Sequence, residues 1–201
     1  MCVDTYALEA WMSVNASSET DYYAASATRS VFQYLPVAYK DGENLKAREE
    51  MGIAAHYGGI SFNKAGLGYV HAIAHQLGAF YSIPHGRANA IVLPHILDAN
   101  RDVCEQRLAT LAKKTGVVDN VQAKADDGQL ADYLIAQVRA LIEETNIDRS
   151  VAGINEDDFV KIAKAAAIEV RDTYSVPRYF TQAEIVKILH DIKDISDSLN
   201  Q

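Results

Sequence analysis

The segment "QLADYLIAQVRALIEE", residues 129–144, decides the fold class. Its apolar side chains recur at spacings of three and four, which is the period of one face of an α-helix. They are Leu130, Tyr133, Leu134, Val138, Leu141 and Ile142. Strict alternation of polar and apolar residues, which marks a half-buried strand, never persists for five positions among β-branched residues. We therefore predict an all-α protein.

Further helices follow on both sides of this segment. A capping box of Thr181 and Glu184 opens the last helix, whose apolar face comprises Ile185, Ile188, Leu189, Ile192 and Ile195. A second helix begins at Ser18, with Asp21 in its first turn, and ends at Leu35 because Pro36 interrupts it. The other predicted helices span about Leu45 to Asn63, Tyr69 to Gly78 and Arg87 to Asn100. We expect residues 1–201 to form a single helical domain, a bundle of about seven to nine helices.

Composition excludes several classes of function. The 201 residues carry a net charge of −8 without any cluster of Lys and Arg, which argues against a nucleic-acid partner. No apolar run approaches the length of about 18 residues that a membrane span needs. The amino terminus lacks the features of a secretory signal, and two cysteines, Cys2 and Cys104, are too few for a disulfide framework. We expect a reduced, cytoplasmic protein.

Histidines are concentrated in "YVHAIAHQLGAFYSIPHG", residues 69–86. His71 and His75, at positions i and i+4, share a helix face, and His85 can return to that face after the intervening loop. This pattern is typical of a metal or catalytic site, but hydrogen-bonded core histidines produce it as well, and the pattern alone leaves both interpretations open. The remaining histidines give weaker signals, and we expect structural roles for His56 and His95 and a solvated side chain for His190.

Four segments resemble one known family. The run "GLGYVHAIAHQLGAFYSIPHGRANAIVLPHILDAN", residues 66–100, is similar to the signature region of the iron-dependent, or type III, alcohol dehydrogenases. The segments "YALEAWMS" at 6–13, "FQYLPVAYKDGENLKAREEM" at 32–51 and "VPRYFTQAEIVKIL" at 176–189 resemble other parts of the same family. Its members combine an amino-terminal α/β domain that binds NAD(P) with a carboxy-terminal helical domain that carries a divalent metal. This sequence resembles only the second domain.

The resemblance implies a role for each histidine of the signature region. His71 and His85 correspond to two ligands of a divalent metal, Fe or Zn, and His75 corresponds to a catalytic histidine beside the substrate and nicotinamide. The family's other two ligands are an Asp and a His, and Cys2 and Tyr6 stand at their positions. Asp4 cannot replace the missing carboxylate, because two residues along a helix turn a side chain by about 200°.

The resemblance also implies that the nicotinamide cofactor must come from elsewhere. The pair Gly66 and Gly68 follows a helical stretch and lacks both the third glycine and the strand of a dinucleotide-binding loop. We therefore expect NAD(P) to bind only through a missing domain or a nucleotide-binding partner, and we expect the isolated chain to be inactive.

Three functional hypotheses follow. The first is a metal-domain homologue of an iron-type NAD(P)-dependent alcohol dehydrogenase, incomplete as a single chain. The second is a non-catalytic helical domain with a vestigial metal site. The third is a hydrolase or other enzyme that binds zinc through His71, His75 and His85. The absence of an H-E-x-x-H motif, and of an obvious acidic partner for these histidines, argues against the third.

We also expect self-association. A helical domain without its nucleotide-binding half leaves an apolar cleft face, which we expect to include His71, His75, Phe80 and Tyr81. Exposed apolar patches commonly mark contact surfaces, so the sequence predicts a homo-oligomer, with a two-fold dimer favoured. The first helix would contribute Leu8, Trp11 and Met12 to this surface.

Overall fold

The described part of the chain is built from α-helices. The structure is a computed structural model that describes residues 2–119 and 122–193, with the side chain of Cys2 left aside. Within those ranges the helices are α1 (Cys2–Met12), α2 (Ser18–Lys40), α3 (Leu45–Ala65), α4 (Tyr69–Tyr81), α5 (His85–Asn100), α6 (Glu105–Thr115), α7 (Asp127–Glu144), α8 (Phe159–Thr173) and α9 (Gln182–Ile192). No strand occurs among the described residues, and Val151 and Lys193 form an isolated bridge. The prediction of an all-α fold is confirmed.

Helix α1 lies in the middle of the bundle, where it packs against α2, α3, α5 and α6. The expectation that Leu8, Trp11 and Met12 form an exposed surface is wrong, because all three side chains are buried. Residues on nearly every side of this helix are buried, as in helices that are covered all round. The indole Nε1–H of Trp11 donates to the carbonyl oxygen of Arg107 at 2.8 Å, which ties α1 to α6.

Helix α2 does not stop at Leu35. It runs on through Pro36 to Lys40, so the predicted end is five residues too early. A proline removes one helical hydrogen bond, but α2 packs along α3 over much of its length, and this packing offsets the local cost. At the other end Ser17 caps the helix, in a capping box with Thr20.

The ends of the later helices follow the sequence signals more closely. The capping box of Thr181 and Glu184 is present at the start of α9, as predicted. Helix α7 begins at Asp127, two residues before the predicted start, because the side chain of Asp126 accepts a hydrogen bond from the amide of Gln129. The apolar stripe of α7 faces the core, with Tyr133 half-buried. The predicted core residue Ile195 lies outside the described residues.

The turn between α4 and α5 places the histidines. Helix α4 continues three residues past the predicted end at Gly78, and α5 begins at His85, two residues before the predicted Arg87. Ser82 ends α4 in a left-handed conformation, with φ of 55°. The chain reverses there within three residues, which returns His85 to the face of α4 that carries His71. In the part of the chain that the structure covers, each helix is too short or too polar to cross a membrane.

Candidate active site

The three histidines of residues 69–86 come together where α4 meets α5, a place that we call the cleft. The ring centroids of His71 and His85 are 5.3 Å apart, and those of His75 and His85 are also 5.3 Å apart with the rings nearly parallel. The centroids of His71 and His75 are separated by 6.0 Å. His71 is buried, whereas His75 and His85 are exposed at the mouth of the cleft. The expected convergence of the three imidazoles is therefore found.

A buried carboxylate from α1 holds the innermost histidine. The Oε2 atom of Glu9 forms a hydrogen bond with Nδ1 of His71, and its Oε1 atom accepts the backbone N–H of Val70 at 2.8 Å. Gly68 gives this carboxylate room, since a Cβ atom at that position would lie 2.9 Å from Oε1 of Glu9. A carboxylate oxygen accepts hydrogen bonds, so the Nδ1–H of His71 is the donor in this contact, and Nε2 is the ring nitrogen that lies towards Asn89.

A second carboxylate, from α8, holds the histidine at the mouth of the cleft. Nδ1 of His75 lies 2.7 Å from Oε1 of Glu169, and the hydroxyl of Tyr174 donates to the same oxygen at 2.8 Å. Gln76 donates to Oε2 of Glu169 at 3.2 Å. Burial and the neighbouring Glu169 raise the pKa of Tyr174, which keeps this hydroxyl protonated as a donor.

The expectation that these histidines lack acidic partners is therefore wrong. Glu9 is 62 residues from His71 in the sequence, and Glu169 is 94 residues from His75. Local spacing therefore cannot show these contacts. The nearest signal for Glu9 is its place in "YALEAWMS", three residues after Tyr6. No comparable signal in the sequence points to Glu169.

The amide of Asn89, on α5, bridges two of the imidazoles. Its Nδ2 atom lies 3.3 Å from Nε2 of His71 and 3.0 Å from Nε2 of His85. Asn89 is fully buried, and its Oδ1 atom has no hydrogen-bond partner. Partial desolvation lowers the pKa of His85, and the neighbouring His71 and His75 lower it further, which favours the neutral imidazole that such a bridge requires.

Tyr6 and Asp4 both lie on α1, and Tyr6 stands beside this bridge. The ring of Tyr6 stacks on His71, with centroids 4.9 Å apart and planes inclined by 13°, and Phe62 stacks behind it at 4.5 Å. Asp4 is completely buried, and neither of its carboxyl oxygens has a hydrogen-bond partner. Burial raises the pKa of Asp4 to about 7.

These residues do not make up a divalent-metal site. The described residues bring together ring nitrogens of His71, His75 and His85, and the amide of Asn89 lies within hydrogen-bond distance of Nε2 of His71 and of His85. Tyr6 turns a ring face to His71, and the side chain of Cys2 lies outside the described residues. No group of three or more His, Cys, Asp or Glu side chains in the described ranges is placed to hold a cation, so Asp4 completes no such set. The assignment of His71 and His85 as metal ligands stays a prediction.

The remaining histidines lie away from the cleft. His56 is exposed on α3, next to the ring of Tyr57. His190 is half exposed, with its ring edge 4.9 Å from Phe159, so it is not only solvated as expected. His95 lines a separate cavity of about 260 Å³ between α5, α7 and α9, together with Arg139 and Arg149, and burial lowers its pKa. None of the three contributes to the candidate active site.

Comparison with known proteins identifies the family. Residues 3–193 match the model of the C-terminal domain of the Fe-containing alcohol dehydrogenase family, so the chain belongs to this family. The match covers all nine helices described above apart from the first residue of α1.

Individual relatives agree with this assignment. The chain is 39% identical over 184 residues to the 1,3-propanediol dehydrogenase of Citrobacter freundii, covering 92% of this chain and 47% of that protein. It is 35% identical to alcohol dehydrogenase 4 of Saccharomyces cerevisiae, with the same two coverages. A crystal structure of a 1,3-propanediol oxidoreductase superimposes with a TM-score of 0.87 at 35% identity, covering 96% of this chain and 50% of that one. The chain thus spans about half the length of the relatives that it matches.

Proposed function

We propose that this chain is the metal-domain homologue of an iron-type, NAD(P)-dependent alcohol dehydrogenase and supplies the substrate-facing half of an alcohol or aldehyde oxidoreductase. One observation carries the proposal. Three imidazoles meet in one open cleft, and buried or half-buried carboxylates fix two of them, in a chain that matches the C-terminal halves of alcohol dehydrogenases. A carboxylate that is hydrogen-bonded to an imidazole fixes the orientation of the ring, as in the acid–base pairs of reacting sites.

Within this cleft His75 is the catalytic residue of the proposal. Its Nδ1–H donates to Glu169, which leaves Nε2, on the opposite side of the ring, as a proton acceptor open to the cleft. An imidazole in this state can hold the proton of a substrate hydroxyl, and Glu169 stabilises the imidazolium that results. The steps of the proposal are those that the described residues perform themselves, namely orienting His75 and holding a proton at its Nε2.

The nicotinamide, which exchanges the hydride in such reactions, needs a site that the described residues do not provide. Dinucleotide-binding folds are built on a parallel sheet, and no strand occurs among residues 2–119 and 122–193. We therefore assign NAD(P) binding to a nucleotide-binding domain outside these ranges, on the same chain or on a partner. A cytoplasmic location is part of this proposal.

A non-catalytic domain with a vestigial metal site is the second candidate. The ring of Tyr6 stands where the resemblance places a third imidazole ligand, and this observation favours loss of the family's metal chemistry. In this case the three histidines would be retained for packing and hydrogen bonding alone.

The two candidates separate in an assay of NAD⁺ reduction with 1-propanol or 1,3-propanediol. We would join the chain to the nucleotide-binding half of the Citrobacter relative and compare it with its His75→Gln variant. His56→Gln, at an exposed site outside the cleft, is the matched control. The proposal expects turnover that falls about 10²- to 10⁴-fold in His75→Gln and is unchanged in the control. A folded fusion without turnover supports the non-catalytic domain, and turnover of about 1 per second by the isolated chain refutes the need for a second domain.

We further propose that the isolated chain forms a homodimer through the open face of the cleft. Phe80, on the helix that carries His71 and His75, is 42% exposed, and the half-buried ring of Tyr81 lies beside it. Light scattering at micromolar concentration tests the idea, since a clean monomer of 22.1 kDa would refute it. Phe80→Ser is expected to weaken the dimer, and Tyr22→Ser, exposed on α2, serves as control.

A further inference from the structure

A cavity of about 260 Å³ lies outside the candidate active site, where α7 and α9 both pack against α5. Its apolar wall is buried and consists of Ala90, Ile91, Pro94 and Ile142. His95, one helical turn after Ile91, adds a half-buried imidazole to the lining. An apolar cavity of about 150 Å³ holds benzene, so this one has room for a molecule of at most about ten non-hydrogen atoms.

Two arginines stand where this cavity meets the solvent. Arg139, on α7, and Arg149, between α7 and α8, both line the cavity and are exposed. Within the described residues each has one ion-pair partner, which is Asp98 for Arg139 and Glu143 for Arg149. A guanidinium carries five N–H donors in a planar fork, and a bidentate carboxylate uses two of them. Each arginine therefore keeps donors for a further anion.

The other polar groups of the cavity leave this positive charge in place. Asp191, on α9, carries a negative charge into the lining, but its carboxylate pairs with Lys187 at 2.9 Å. The ring of His95 has no hydrogen-bond partner in the described part of the chain. Burial lowers the pKa of His95, so at pH 7 the ring is neutral and offers one N–H donor. The cavity thus combines two guanidinium groups and a free imidazole with an apolar wall.

We propose that this cavity binds a small monocarboxylate, with its carboxylate on Arg139 and Arg149 and its hydrocarbon body against the apolar wall. The planar fork of arginine matches the two oxygens of a carboxylate, and the apolar wall favours a ligand with a hydrocarbon body over inorganic phosphate. The site is separate from the histidine cleft, and binding there needs no nucleotide and no turnover. Its failure would leave the proposed function untouched, and the reverse holds as well.

Benzoate is the probe, because it joins one carboxylate to a compact apolar ring. Titration of the full chain at neutral pH, followed by the ring-proton NMR signals of His95, is expected to give a saturable shift with a Kd of about 1 mM. His95→Gln assigns these signals. Benzyl alcohol keeps the ring without the charge, and inorganic phosphate keeps the charge without the ring. Both are expected to bind at least about tenfold more weakly than benzoate.

Two variants test the arginines. Arg139→Gln and Arg149→Gln are each expected to raise the Kd for benzoate at least about tenfold, because each removes charge-assisted hydrogen bonds to the carboxylate. Both side chains are exposed, so the core is unchanged. Arg171→Gln is the matched control, since Arg171 is an exposed arginine on α8 that pairs with one carboxylate, Asp172, and does not line the cavity. It is expected to keep the wild-type Kd.

Three results would overturn the inference. The first is the absence of a shift in the His95 signals up to about 20 mM benzoate. The second is an unchanged Kd for benzoate in either Arg139→Gln or Arg149→Gln. The third is binding of benzyl alcohol or phosphate that is as tight as that of benzoate.

Discussion

The two ends of α1 each bury a carboxylate, and the two carboxylates have opposite surroundings. Glu9 is 4% exposed, and both its oxygens are used, one by the N–H of Val70 and one by His71. Asp4 is 0% exposed, and neither of its oxygens has a hydrogen-bond partner. Burial raises the pKa of Asp4 to about 7. The comparison shows that burial alone does not make a carboxylate part of a site, since only hydrogen-bond donors keep it charged and oriented.

The largest expected change in stability comes from removing Glu9, the carboxylate whose two oxygens both have hydrogen-bond partners. Glu9→Ala leaves the N–H of Val70 and the ring of His71 without their buried acceptor, so we expect a loss of about 3–5 kcal/mol in the free energy of unfolding. Urea denaturation at pH 7.5 measures it. Glu19→Ala removes an exposed carboxylate that pairs with Lys64, and it should cost less than about 1 kcal/mol. Equal losses in the two variants would contradict the role given to Glu9.

The next effect concerns Asp4, the carboxylate without hydrogen-bond partners, and its replacement is expected to stabilise the protein. A folded-state pKa raised from 3.8 to about 7 contributes stability that is fully present below pH 3.8 and is lost as the pH rises through 7. Asp4→Asn removes this dependence, and we expect it to raise the free energy of unfolding at pH 8 by about 2–4 kcal/mol.

Urea denaturation at pH 5 and at pH 8 checks this prediction, because the gain should be smaller at pH 5. Asp102→Asn is the control, at a side chain that is 93% exposed. A gain that is the same at both pH values would show that burial of charge is not its cause.

A smaller effect tests whether the carboxylate of Glu9 needs a residue without a side chain at position 68. In Gly68→Ala the new Cβ would meet Oε1 of Glu9 at 2.9 Å and Val176 at 3.5 Å, and we expect a loss of about 1–3 kcal/mol. The backbone at Gly68 is extended, so the cause is contact and not strain. Gly59→Ala, inside α3 with no atom within 4 Å of its Cβ, should stabilise by about 0.5–1 kcal/mol. Thermal unfolding of both variants decides, and a stable Gly68→Ala would refute the close fit.

The smallest expected effect concerns a basic group, His85, and the way in which stability changes with pH. The pKa of His85 is lowered from 6.5 by burial and then by His71 and His75, so the unfolded chain takes up this proton first as the pH falls. Stability from this group is present above pH 6.5 and is lost as the pH falls through the lowered pKa. His85→Gln should therefore show a smaller drop in Tm between pH 7 and pH 5 than wild type. His56→Gln should keep the wild-type drop, and equal slopes in all three proteins would contradict the assignment.

Local patterns in the sequence predict part of this architecture. The spacing of apolar residues in α7 and the capping box of α9 depend on neighbours within four positions, so they can be read directly from the chain. The convergence of the three histidines follows from one helix and one short turn. These features are local because the hydrogen bonds that create them are local.

The remaining features depend on distant packing. Pro36 signals a helix end, but the contact of α2 with α3 overrides that signal. The acidic partners of His71 and His75 lie on α1 and α8, and only the assembled bundle brings them to α4. The burial of Trp11 also depends on the helices that pack around α1. No local pattern contains this information, since each contact joins elements far apart in sequence.

The chain's single tryptophan gives α1 a built-in optical reporter. Trp11 is 1% exposed, its Nε1–H donates to the carbonyl of Arg107, and the guanidinium of Arg107 lies 4.5 Å from the centre of its ring. A dry indole emits at shorter wavelengths than a hydrated one, so the folded chain should fluoresce towards the blue. Because the helix that carries Trp11 also carries Tyr6 and Glu9, this emission follows the docking of the helix that builds the inner wall of the cleft. Fluorescence can therefore time the assembly of the cleft without any added label.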